Sequence, residues 1–173
     1  MRRALFCIGF GLLLSVAWVA AQQAPAPDSR VTARVVILTE QELAQMLQDA
    51  AEEVTKGVEQ TMVEFLSEDV LRLSVRIDFD KVGQEAGALT LLLPGRHELS
   101  VDLAFSASNG TGQVKVRALR VDGQQMPDVV ADFLVRTAAG QLHPPVDISQ
   151  PFALPRDIIS IAVREKKMFV ELK

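Results

Sequence analysis

The chain has 173 residues, a formal charge of −4, one cysteine, one tryptophan and no tyrosine. An acidic chain with few aromatic rings excludes nucleic acid as a partner, because that role needs a basic footprint and stacking platforms. A lone cysteine excludes intrachain disulfides, so burial of apolar surface has to hold the fold together.

Met1-Arg2-Arg3 precedes an uncharged, apolar stretch from Ala4 to Ala21 that closes on Val19-Ala20-Ala21. A basic start, an apolar run and a small-residue end describe a signal peptide over residues 1–21, cleaved before Gln22. The same run sits at the lower limit for a membrane span, so an uncleaved N-terminal anchor at residues 4–21 is the alternative. Both readings export the remainder, because Arg2 and Arg3 hold the N-terminus inside. A periplasmic or extracellular location is expected. Loss of the two leader arginines takes the charge from −4 to −6, which disfavours binding to anionic headgroups through bulk charge. Residues 22–29 (QQAPAPDS) read as a short Pro/Ala linker, and residues 30–173 as a single domain.

Arg30 to Leu38 alternates and predicts a strand. Thr39 with Glu42 three residues later forms a capping box, with Leu38 placed to staple onto Leu43. From there Leu43, Met46, Leu47, Ala50, Ala51, Val54, Val58, Met62, Phe65 and Leu66 recur at spacings of three and four. That period predicts one amphipathic helix over residues 39–66, roughly 40 Å long. Gly57 lies inside it as a defect of about 1 kcal/mol against Ala. Val70 to Val82 and Arg96 to Ala107 alternate and predict two long strands, with a shorter one at Leu89 to Leu93 closed by Pro94-Gly95. Asn109-Gly110 predicts a hairpin into a strand over Gln113 to Asp122, whose apolar phase slips between Val116 and Leu119 and implies a bulge. Pro127 suits the first turn of a short second helix that carries Val130, Phe133 and Leu134 and stops at Gly140. Prolines 144, 145, 151 and 155 keep the next segment extended. Ile159, Ile161 and Val163 then turn at Glu165-Lys166-Lys167 into Phe169 to Leu172 as a closing hairpin. The expected fold class is α+β, a long N-terminal amphipathic helix packed on a curved antiparallel sheet, with a short second helix.

No catalytic constellation is visible, and neither an enzyme nor a cofactor is expected. His97 and His143 have no second ligand at metal spacing, so no metal site is expected, and His97 reads as a satisfied or edge-exposed histidine. Asp78 and Asp80 fall on the outward phase beside Arg76 and Lys81, the pattern of a solvated strand face. No G-x-S-x-G, P-loop or H-E-x-x-H is present, and Gly110-Thr111-Gly112 is too short for a phosphate cradle.

The aliphatic faces admit a solid core or an apolar tube for acyl chains, which need contact without hydrogen bonds. Residues on the inward phase that would line such a tube are Met46, Val54, Met62, Ile77, Phe79, Leu103, Phe105 and Phe133. The helix opening Leu38-Thr39-Glu40-Gln41-Glu42-Leu43, the paired strands Val70 to Val82 and Arg96 to Ala107, the segment Val116 to Phe133 and the closing hairpin resemble one known family. It is the bacterial envelope, single-half branch of the tubular lipid-binding (TULIP) superfamily. The resemblance implies a helix wrapped by a curved sheet around an apolar lipid site, and carries over no invariant binding residue. The leading expectation is an exported, non-catalytic protein of the cell envelope that binds or handles lipid, its ligand a lipid or other acyl-chain molecule. The alternative is an envelope scaffold with a solid core that presents its acidic faces to a protein partner.

Overall fold

The computed structural model describes residues 34–54, 56–67, 69–82, 93–131, 150–154 and 157–173. The predicted leader and linker, the predicted strand at 89–93 apart from Leu93, and the predicted second helix beyond Ala131 lie outside these residues. In chain order the elements are β1 (Arg34–Thr39), α1 (Glu40–Val54), β2 (Val58–Ser67), β3 (Val70–Asp78), α2 (Phe79–Val82) and β4 (Arg96–Ser108). There follow β5 (Thr111–Val121), β6 (Gln124–Gln125), β7 (Phe152–Ala153), β8 (Ile158–Arg164) and β9 (Lys167–Leu172). Residues 128–131 form a single helical turn after Pro127.

Among the described residues the protein is mostly antiparallel sheet, 62% strand against 20% helix, and the helix-on-sheet α+β class expected from the sequence is wrong. The error lies at Gly57. The capping box forms as read, with Thr39 N donating to Glu42 Oε2 at 2.8 Å and Glu42 N to Thr39 Oγ1 at 3.3 Å. The helix then stops at Val54, and Val58–Ser67 becomes a strand. In that stretch Thr61, Val63 and Phe65 alternate as well as Val58, Met62 and Leu66 follow the helical period, and β-branched residues favour the strand. Gly57 is the turn between them. Its carbonyl accepts from Asp78 N at 2.8 Å. A Cβ at this position would stand 2.4 Å from Val82 Cγ2 and 2.8 Å from Asp78 O.

The main strand order is β1-β9-β8-β4-β3-β2, with β5 paired to the other edge of β4 and carrying β6 and β7. β3 runs out at the Val70–Ala104 pair, and β8 joins β4 beyond it, at Ala107–Ile161. Asp69, with a positive φ, pins this junction: its carbonyl accepts from Phe105 N at 2.9 Å and its Oδ1 from Val163 N at 3.3 Å. The sheet thus has two parts, β2-β3-β4-β5 and β8-β9-β1. α1 packs on β2 and touches β1, the two ends of the strand order. Glu40 Oε1 accepts the edge amide of Phe65 at 2.7 Å, so the helix start also satisfies the open edge of β2.

The hairpins follow their predicted chemistry. Asn109-Gly110 and Glu165-Lys166 both carry positive φ at their two central residues, as a two-residue primed turn requires. The register shift opposite Asp102/Leu103 skips Arg117, which is the bulge that the phase slip between Val116 and Leu119 implies. The predicted strand Val70 to Val82 ends early, at Asp78, and Phe79–Val82 is one helical turn.

Side chains on the inner face form the core: Leu43 and Leu47 from α1, Phe65 from β2, Leu71, Leu73, Val75 and Ile77 from β3, and Val163, Met168 and Val170 from the closing hairpin. Leu43, Leu47, Leu73, Val75 and Leu103 share this core, with Val101 half-buried beside it. Val58 joins them from a strand, not a helix.

The outer face is less free than its polarity suggests. Asp102 is 7% exposed and accepts from Arg72 Nε at 2.7 Å and Arg120 Nη1 at 2.8 Å, which ties β3, β4 and β5 together. Burial opposes its charge, but the hydrogen bonds from Arg72 and Arg120 outweigh this and hold the carboxyl below the usual range. Ser74 and Ser100, paired across β3 and β4, are also buried. They are short residues between long neighbours such as Arg72 and Arg76, so small size rather than inward direction hides them. Asp78 is not the solvated carboxylate expected. It is buried at the end of β3, 3.3 Å from both Lys81 Nζ and Arg96 Nε.

Gly57→Ala separates the two readings of residues 39–66 by sign. In a continuous helix it would stabilise by about 1 kcal/mol. At this turn it forces a clash with backbone and with the stiff Val82, and should destabilise by about 1–3 kcal/mol in a denaturant titration.

Candidate functional site

The inner face of β4 and β5 is apolar from end to end. In register stand Leu99 with Val121, Val101 with Leu119, Leu103 with Val116, Phe105 with Val114 and Ala107 with Gly112. Burial changes across the sheet. On β3 Leu71, Leu73, Val75 and Ile77 are all 5% exposed or less. On β4 and β5 Leu99, Val101, Phe105, Val114, Val116 and Val121 are only half-buried. α1 sits over β2, and its 15 residues cover about 22 Å along one strand, so the burial it provides falls on the β2 side. The bulge at Arg117 adds curvature to this half. Among the described residues the result is a half-buried aliphatic face, curved into a trough by the bulge, beside a closed core. Gly112 marks one end of it, where a Cβ would stand 2.8 Å from Phe152 and 2.9 Å from Leu154.

The eight residues proposed from sequence as tube lining do not share one surface. Ile77, Phe79 and Leu103 are buried in the closed core, at 4%, 1% and 2% exposure. Phe105 lies on the half-covered inner face of β4, and Met46 on α1 is half-buried against the core. Met62 pairs with Ser74 on the outer face and cannot line the interior. The inward phase assigned to it belonged to the helical period, and the strand period turns it outward. The side chain of Val54 and all of Phe133 lie outside the described residues. Sequence reading missed Val114, Val116, Leu119 and Val121, although their alternation on either side of the phase slip was the signal.

At the other end of β4 the inner face closes on His97. Its Nδ1 lies 2.6 Å from Asp122 Oδ2 and its Nε2 3.0 Å from Pro94 O, with the ring 6.2 Å from that of buried Phe79. This is the satisfied histidine expected. Asp122 Oδ1 also accepts from Glu98 N at 2.9 Å. These residues, with Arg76, Arg96 and Gly123, line an open polar cleft of about 380 Å³. Its charges are already committed: Arg76 faces Glu98 at 3.7 Å, and Arg96 is 3.1 Å from Glu59 and 3.3 Å from Asp78. Among the described residues that line it, no nucleophile stands beside a base. Among the described residues no group of His, Cys, Asp and Glu could hold a metal ion, and no helix is long and apolar enough to cross a membrane.

No family model matches the chain, nor does any curated protein or solved structure.

The His97–Asp122 pair predicts a pH dependence. The hydrogen bond to Asp122 raises the His97 pKa, and bonds from the Glu98 amide and His97 lower that of Asp122. For the raised histidine, the stability gained is fully present below the unfolded value of about 6.5 and is lost as pH rises through the folded one. For the depressed aspartate, it is present above the ordinary carboxylate range and lost as pH falls through the folded value. Between pH 6 and pH 8.5 the melting temperature should therefore fall more in the wild-type chain than in His97→Gln. Parallel melting profiles would show that the pair contributes nothing.

Proposed function

We propose that this protein is an exported, non-catalytic envelope protein that binds or handles lipid, with the inner face of β4 and β5 as the acyl-chain surface. The observation that carries this reading is the unbroken aliphatic character of that face combined with its partial cover. A surface of this kind gains about 0.8 kcal/mol for each methylene it takes out of water and asks for no hydrogen bond in return. The resemblance to the TULIP superfamily supports the same ligand class, and the basic-apolar-small leader supports export. A shallow trough in place of a tube favours a single acyl chain laid along β4 over a fully enclosed lipid.

A second reading, a protein-interaction scaffold, is favoured by α1. Its outward face exposes Glu42, Asp49 and Glu52, and its last turn carries no basic residue. An acidic helix face of this kind fits a basic partner surface.

Mass spectrometry of an organic extract of the purified exported chain should detect co-purifying acyl lipid, and a fluorescent fatty-acid probe should bind. Val116→Trp fills the trough at its centre. Displacing about two methylenes of the ligand forfeits about 1.6 kcal/mol, so probe affinity should fall by about ten-fold or more while the melting temperature changes little. Lys115→Trp, on the opposite face, should leave the probe unaffected. A lipid-free protein that takes up no probe would put the scaffold reading ahead. N-terminal sequencing of the exported chain should begin at or near Gln22.

A further inference from the structure

The outer face of β1, β9 and β8 has an order of its own. Across the three strands, Val35 stands in a row with Glu171 and Ser160, Ile37 with Phe169 and Ala162, and Thr39 with Lys167 and Arg164. Val35 and Ile37 are 54% and 50% exposed, and Phe169 and Ala162 are half-buried. No shift of register could hide them, because Val36, Leu38, Met168 and Val170 on the opposite phase are packed in or against the core. Beside this apolar row lie Arg164, Lys166 and Lys167, all exposed and free of ion pairs among the described residues. Of the acids nearby, Glu40 and Glu42 belong to the start of α1 and keep their charge while accepting from the Phe65 amide and Thr39. Glu165 lies in the turn itself, and Glu171, which accepts from Ser160 Oγ at 2.8 Å, stands in the Val35 row, two rows away from Lys167 and Arg164.

From this arrangement we propose that the outer face of β1, β9 and β8 docks the protein on an anionic membrane surface, with Val35, Ile37 and Phe169 entering the headgroup boundary and Arg164, Lys166 and Lys167 meeting lipid phosphates. Exposed apolar side chains edged by long, unpaired cations are what an interfacial membrane contact requires. The chain's net negative charge does not oppose this, because screening confines the attraction to cations within about 10 Å of the surface. A second copy of the chain is the competing occupant, and dimerisation through this face in the absence of vesicles would assign the face to it instead. The docking does not require the trough to hold an acyl chain, so vesicle binding and lipid extraction fail independently.

The test uses the exported chain from Gln22, which has no cysteine of its own, with an environment-sensitive fluorophore at Ile37→Cys or, as a control on β5 four strands away, at Gln113→Cys. Vesicles of phosphatidylglycerol and phosphatidylcholine in equal parts, doped with nitroxide lipid, should quench the probe at position 37 and not at 113. Pure phosphatidylcholine vesicles should quench neither. Arg164→Gln with Lys167→Gln should weaken vesicle affinity by about five-fold per cation removed, with the melting temperature unchanged. Equal quenching at both positions, or unaltered affinity in the folded double variant, would overturn the proposal. Binding of polyglutamate without any vesicle response would also overturn it, and would assign the face to an acidic protein partner. Because the quenching comparison leaves Arg164 and Lys167 in place, it decides the matter even if the double variant fails to fold.

Discussion

The rest of the structure depends on the reversal of the chain at Gly57, where a backbone without a side chain passes against the end of β3 and the turn of α2. Its carbonyl takes the Asp78 amide proton, and the space where a Cβ would stand is filled by Val82 and the Asp78 carbonyl. This contact stops α1 and sends the chain back beneath it as β2. The helix therefore lies along the strand that follows it, with Glu40 over Phe65 at one end and the Gly57 turn at the other. Leu43, Leu47 and Ala51 drop into the inner face of the sheet, and both ends of the strand order meet one helix.

That placement decides what the sheet can do. A helix confined to the β2 side closes the core over β3, while most of the inner face of β4 and β5 is only half-buried. The outer face is held separately, by a carboxylate–guanidinium ladder in which Asp102 joins three strands. Breaking such a buried pair on one side leaves an uncompensated charge, so the ladder fixes register as well as shape. With register fixed on both faces, the Arg117 bulge bends β5 without exchanging inner and outer side chains.

Much of this was legible in the sequence where the signal was local. The capping box at Thr39 and Glu42, the Asn109-Gly110 turn, the slip between Val116 and Leu119 and the closing hairpin each rest on a few adjacent residues. The failures came where two periods fit the same letters. Residues 58–66 satisfy a spacing of three and four as well as an alternation, and only the contact of Gly57 with a segment twenty residues away chooses between them. The same ambiguity misplaced Met62. Asp78 was assigned to the right phase but the wrong environment, because burial on the outer face depends on how far neighbouring long cations reach across it. The trough was partly visible, as Phe105, but its β5 wall was not, because the bulge disguised its alternation.

The central claim is that residues 58–67 form a strand paired with β3, which confines α1 to the β2 side of the sheet. Nuclear magnetic resonance of the isotopically labelled chain tests it directly. The account predicts strand-type Cα chemical shifts from Val58 to Ser67 and cross-strand contacts linking Val63 to Leu73 and Phe65 to Leu71. Helical shifts running unbroken from Glu40 through Leu66, without those contacts, would contradict it.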